Sequence, residues 1–252
     1  MNEATRDAVT KVPAVTLGFW IIKILATTLG ETGGDAVSMS MELGYLVGTA
    51  IFAVLFVAAV AAQIRASAFH PFLYWATIIA STTVGTTMAD YATRSLGIGY
   101  TGGSTLLLGL LLASLFTWYR MLGSVDITTV SSPRAEMFYW LTIMFSQTLG
   151  TALGDWTADT AGLGYLGGAA IFSGLLVLVL LAHWFTRVST TLLFWCAFVL
   201  TRPLGAVVCD YLDKPVSHGG LELSRYLASA TLAGAIVVLV WLLPQRAAHK
   251  AH

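Results

Sequence analysis

Charge is what this sequence has least of. Asp, Glu, Lys and Arg make up 10% of its 252 residues against 57% hydrophobic ones, and the mean hydropathy is +0.78. A water-facing domain carries roughly 25% charged residues, so this chain cannot coat a soluble surface of its own size. Thirteen basic residues balance thirteen acidic ones, so there is no basic excess to attract nucleic acid. Cysteine is nearly absent. Cys196 and Cys209 fall on one predicted helix, ~20 Å apart along its axis, which excludes a bridge between them and with it a disulfide framework. Residues 1–11 are mostly polar and the first apolar run is full length, so no cleaved signal peptide is expected. Nucleophile elbows, phosphate-binding loops, dinucleotide glycine motifs and zinc-protease helices are also missing.

Apolar runs of about 20 residues, each sufficient for a ~30 Å hydrocarbon core, recur between 15 and 243. They carry an internal repeat. Trp20, Trp75, Trp140 and Trp195 each follow another aromatic residue: Phe19, Tyr74, Tyr139 and Phe194. Ten residues after each tryptophan stands a glycine (Gly30, Gly85, Gly150, Gly205), and fifteen after it an aspartate (Asp35, Asp90, Asp155, Asp210). Gly44-Tyr45, Gly99-Tyr100 and Gly164-Tyr165 follow in three copies, while the fourth departs through Lys214-Pro215 and His218-Gly219-Gly220. Repeat starts lie 55, 65 and 55 residues apart, with the longest linker, 121–136, in the middle. Copies one and three share Thr-Leu-Gly, Gly-Asp and Gly-Tyr-Leu, whereas copies two and four share Asp-Tyr and an extra arginine. The order reads A-B-A-B.

The Gly-x4-Asp element in four tandem two-helix copies resembles a bacterial repeat family of unknown function, whose members are catalogued as uncharacterised membrane-anchored proteins. The resemblance covers nearly the whole chain and implies an integral membrane architecture without an established activity. From the residues themselves, the expected fold is an all-α membrane protein forming one domain over 1–252. Its repeats lie near 16–66, 70–121, 135–187 and 190–243. Eight transmembrane helices are expected near 16–36, 43–63, 72–92, 99–120, 137–158, 164–185, 190–211 and 222–243. Each copy holds two helices, so the copies enter the membrane from one side and are related by an axis along its normal. Arg6, Lys11, Arg65, Arg120, Arg134, Arg187, Arg246 and Lys250 cluster at the termini and inter-repeat loops. That bias predicts cytoplasmic termini in a bacterial inner membrane.

Glycines four residues from another small residue, as in Gly30-x3-Gly34, Gly150-x3-Gly154, Gly44-x3-Gly48, Gly99-x3-Gly103 and Gly164-x3-Gly168, predict close helix contacts. The aspartates carry the chemical expectation. Fifteen residues past an interfacial tryptophan is ~22 Å of helix, most of the way across the core. Carboxylates that deep face a cavity or a partner. The plain alternative is that each aspartate ends its helix. Glu31 and Asp35 share a helical face, as do Asp155 and Asp159. The even copies instead offer Arg94 near Asp90 and Arg202 before Asp210. Asp90 and Asp210 are therefore expected to anchor Arg94 and Arg202, leaving Asp35 and Asp155 to hold an ion or proton, and these two are the expected metal ligands. Thr27, Thr28, Thr82, Thr83, Thr86, Gln147, Thr148 and Thr151 lie within three residues of the repeat glycines and add neutral oxygen ligands for a hard cation.

The reading is a small-cation transporter, extending to divalent metals, coupled to protonation of Glu31, Asp35, Asp90, Asp155, Asp159 and Asp210. No cofactor is expected beyond a divalent cation that these carboxylates could bind, and the partners are the bilayer and a small cation or proton. A non-transporting scaffold or sensor held by Asp–Arg pairs is the alternative, and an intramembrane enzyme the third.

Overall fold

The computed structural model describes residues 10–248; the N-terminal Arg6 and the C-terminal His249, Lys250 and His252 lie outside the described residues. The described chain is all-helical, with eight long helices: α1 (Leu17–Asp35), α2 (Gly44–Arg65), α3 (Pro71–Asp90), α4 (Gly99–Leu122), α5 (Pro133–Asp155), α6 (Gly164–Phe185), α7 (Thr190–Asp213) and α8 (Arg225–Leu242). Starts follow local signals: Thr16, Ser132 and Ser224 cap α1, α5 and α8, and Pro71 and Pro133 open α3 and α5.

The odd helices form a closed inner ring in which α1 packs on α3, α3 on α5, α5 on α7 and α7 on α1. The even helices form the outer layer, each against the next repeat's inner helix: α2 on α3, α4 on α5, α6 on α7 and α8 on α1. Every copy thus lends its second helix to its neighbour, and the last copy closes on the first.

Polarity follows this layering. The outer helices expose Leu55 and Val57, Leu112 and Phe116, Leu178 and Val177, and Val238 and Trp241. The inner helices bury Thr27, Thr82, Thr86, Ser146, Gln147, Thr151 and Arg202. Apolar outside and polar inside is the arrangement of a protein dissolved in lipid. Five helices, α2, α4, α6, α7 and α8, are long and apolar enough to cross a membrane. In α1, α3 and α5, buried polar residues such as Thr27, Thr82, Thr86, Gln147 and Thr151 lower the hydropathy.

The inner helices run past their expected ends. After Asp35, Asp90 and Asp155 the winding widens into one π-turn, at Ala36–Ser40, Tyr91–Ser95 and Trp156–Thr160. Met41, Leu96 and Ala161 accordingly donate to the carbonyls of Ala36, Tyr91 and Trp156, five residues back. The chain then reverses through Gly44, Gly99 and Gly164, with φ of 74°, 72° and 64°. A Cβ at any of the three would meet nothing within 4 Å. These glycines are therefore turn residues rather than the packing residues expected from their spacing, because the turn needs left-handed backbone. Gly48, Gly103 and Gly168 do pack, with Cβ positions 3.4, 3.1 and 3.1 Å from Thr87, Thr93 and Val207. The fourth copy keeps α-helical winding to Asp213 and returns along it, Leu221 and Leu223 donating to Tyr211 and Leu212. Cys196 and Cys209 are both free.

Candidate functional site: a layered polar axis

Equivalent residues of the four copies meet around the ring axis in layers. At the tryptophan end lies an aromatic seal. Each aromatic residue before a repeat tryptophan touches the tryptophan of the next copy: Phe19 on Trp75 at 5.4 Å, Tyr74 on Trp140 at 5.7 Å, Tyr139 on Trp195 at 6.2 Å and Phe194 on Trp20 at 5.9 Å. Tyr74 and Tyr139 also share a 2.6 Å hydrogen bond. Outside this seal, the terminal segments pair through the Pro13 and Ala247 backbones, and Lys11 bonds Glu136 at 2.7 Å.

One layer inward, each repeat glycine faces the residue seven past the next copy's tryptophan: Gly30 against Thr82, Gly85 against Gln147, Gly150 against Arg202 and Gly205 against Thr27. The side chain absent from each glycine is the space its neighbour fills. Thr82 donates to the Ala26 carbonyl and Thr27 to the Thr201 carbonyl, each at 3.2 Å, tying α3 to α1 and α1 to α7. The next position, Thr28, Thr83 and Thr148, bonds only its own helix, at the carbonyls of Ile24, Ile79 and Met144.

Above the glycines sits a hub. Glu31, Thr86 and Thr151 are eleven residues past their tryptophans, and the fourth copy has Ala206 there. Arg202, one turn earlier, fills the place that Ala206 leaves. Its Nη2 contacts Glu31 Oε2, Thr151 Oγ1 and, at 2.6 Å, Thr86 Oγ1. Thr86 Oγ1 also lies 3.0 Å from the same Glu31 oxygen. Arg202 was expected to pair with Asp210 and does not, because its side chain turns toward the axis and Asp210 lies two turns further along α7.

The four repeat aspartates form the next ring. All are buried, and all are paired. Arg94 lies 3.0 Å from Asp90 and 3.2 Å from Asp155, while Lys214 lies 3.1 Å from Asp210 and 2.9 Å from Asp35. Asp35 and Asp155, expected to lack a cation, each borrow one from the neighbouring copy. Burial opposes the charge on Lys214, but Asp210 and Asp35 outweigh it and hold its pKa above the usual lysine value. Arg225 on α8 adds a contact to Asp213 at 2.5 Å and approaches Asp35 at 3.9 Å. Lys214 and Arg225 were not expected as counter-ions of the aspartates, although Arg94 and Lys214 are both nineteen residues past their tryptophans. That register was the available signal. Among the described residues, one group of three carboxylates, Asp35, Asp210 and Asp213, lies within 4.8 Å of one another. Asp155, the other expected metal ligand, is not in that group.

Above the aspartates opens a vestibule of about 360 Å³, lined by Arg94, Tyr100, Asp159, Tyr165, Lys214 and Arg225 among others. Asp159 stands exposed in its wall, four residues past Asp155 but outside the aspartate ring. Of the expected group, the structure therefore brings Asp35, Asp90, Asp155 and Asp210 to one ring, Glu31 to the hub beneath, and Asp159 to the mouth above.

Four stretches, 18–69, 73–123, 138–189 and 193–247, match the family described as Repeat of Unknown Function (DUF347). The chain belongs to this family. No curated protein and no solved structure matches it. Each DUF347 unit takes in one inner and one outer helix, so the hub and the aspartate ring each draw on four units and no single repeat contains a site.

Proposed function

We propose that this protein is a membrane transporter of a small cation, divalent metals included, coupled to protonation of its axial carboxylates. The observation that carries the reading is the imbalance of charge around one axis beneath an open vestibule. Buried Glu31, Asp35, Asp90, Asp155, Asp210 and Asp213 face Lys23, Arg94, Arg202, Lys214 and Arg225, six acids to five bases, and Asp159 adds a seventh acid at the mouth. Excess carboxylate in a poorly solvated place takes up protons or cations. Lys214 and Arg94, each spanning two aspartates, act in this reading as built-in cations that a transported ion displaces.

All eight helices cross the bilayer in this account. The three below the apolar threshold have 19, 20 and 23 residues, about 28–35 Å of helix, and their polar faces turn inward. The copies are read as A-B-A-B because the bridging cations come from copies two and four, each reaching an aspartate of an odd copy. Lys11, Arg65, Arg120, Arg134, Arg187 and Arg246 lie at the aromatic-seal end, which supports a cytoplasmic placement of that end and of both termini in a bacterial inner membrane.

A second reading, a static scaffold, is favoured by the finding that every repeat aspartate has a cation within 3.2 Å. Lys214→Met separates the two. Under transport, removing the resident competitor tightens binding of the transported cation to Asp35 and Asp210 by about tenfold, a gain of ~1.4 kcal/mol. Cation-dependent thermal stabilisation, measured with sodium, magnesium, calcium and manganese salts, reads this directly. Under the scaffold reading no salt stabilises the parent protein, and Lys214→Met only lowers stability.

A further inference from the structure

Between the aromatic seal and the hub lies a group of polar side chains that makes no ion pair with the aspartate ring. Lys23 is fully buried, its Nζ 3.5 Å from Thr201 Oγ1 and 4.2 Å from the centre of the Phe198 ring. No ion pair to Lys23 exists among the described residues. Its nearest acid along α1, Glu31, is already taken by Arg202, and Asp35 is twelve residues on, ~18 Å along the helix. Arg202 makes all its hub contacts through Nη2, and its Nε and Nη1 have no partner. Ser146 Oγ and both amide atoms of Gln147 are likewise buried and unpartnered.

These groups occupy neighbouring turns of three inner helices. Lys23 is three residues past its tryptophan, Ser146 six, and Gln147 and Arg202 seven. Lys23 reaches the same turn of α7 that carries Arg202, through Thr201. A protonated Lys23 would share this buried region with Arg202 and Glu31, two positive charges to one carboxylate. Hydrogen bonds alone could be met by water, but water leaves the second charge uncompensated, and charge is the larger cost at low dielectric. The free groups are also donors: an ammonium, two guanidinium nitrogens, a hydroxyl and an amide whose orientation no protein partner fixes.

We infer that the axis binds a monatomic anion, of halide size, between Lys23 and Arg202, with Ser146 and Gln147 completing its donors. The size limit follows from the layer next to it, where the four inner helices touch through Gly30, Gly85, Gly150 and Gly205. This site is separate from the aspartate ring and stands or falls independently of cation transport.

The test uses the full chain in detergent at fixed pH and ionic strength, comparing sodium chloride and sodium bromide with sodium gluconate. Chloride and bromide should raise Tm by about 5–10 °C at a hundredfold excess over Kd. Lys23→Met should remove that dependence and, in gluconate, melt above the parent, because it deletes the uncompensated charge. Should Lys23→Met fail to fold, chloride-35 line broadening by the parent, displaced by bromide, decides the matter instead. Equal melting of the parent in all three salts, or no displaceable chloride broadening, overturns the inference and leaves Lys23 as a neutral, water-bonded amine.

Discussion

Arg202 gathers groups from the three other copies onto one nitrogen, and its charge is fully buried. Removing one partner of such a pair costs about 3–5 kcal/mol, because the remaining charge is stranded in a medium that cannot solvate it. Arg202→Met is therefore expected to lower stability by that amount, and Glu31→Gln added to it should restore most of the loss. Thermal melts of the single and double variants check this; additive losses would mean that the two side chains are not a unit. Little of this was legible from spacing. Arg202 precedes Asp210 by eight residues on the same face, which invited that pairing. What decides the matter is Ala206, a small residue where the other copies carry Glu31, Thr86 and Thr151. It opens the axis to a long side chain from the turn below. The Lys214 bridge was hidden for a related reason. Its second aspartate, Asp35, is 179 residues away, and only the closure of copy four on copy one brings them together.

At the level of helices, the repeat was plain in the sequence, but the meaning of its glycines was not. Gly-x3-Gly spacing describes both a packing stripe and a turn followed by a packing residue. Only the backbone separates Gly44, at φ 74° in open space, from Gly48, pressed against Thr87. The inner-ring glycines give the sharper test. A Cβ on Gly85 would sit 2.9 Å from Gln147 Cβ and 3.0 Å from the Gln147 backbone, which cannot yield without moving α5. Gly85→Ala should cost about 1–3 kcal/mol. Gly109, on outer helix α4, has open space around it, so Gly109→Ala should be neutral or stabilise by about 0.5–1 kcal/mol through helix propensity. Parallel thermal melts of the two variants give the comparison, and a Gly85→Ala protein as stable as the parent would contradict the close packing of α3 on α5. The π-turns after Asp35, Asp90 and Asp155 left no pattern that spacing could reveal. They extend α1, α3 and α5 and carry Arg94 to the vestibule wall.

Across the whole molecule the axis is asymmetric: sealed by a cyclic aromatic layer at one end and open above a ring of buried carboxylates at the other. Eight helices in four parallel copies were readable from composition and period, because lipid demands apolar length and duplication preserves register. The axis itself was not, since every layer of it is a contact between copies. An open mouth, titratable groups beneath it and a closed far end are what the proposed transport pathway requires. The decisive measurement is flux. Purified protein in proteoliposomes, loaded with a pH-reporting dye, is challenged with inward gradients of sodium, magnesium, calcium or manganese. The account predicts that at least one cation drives proton movement through the parent protein, and that Asp35→Asn and Asp155→Asn, still folded, abolish it. Absence of flux for every cation in well-folded parent protein, or flux undiminished in both variants, would contradict it.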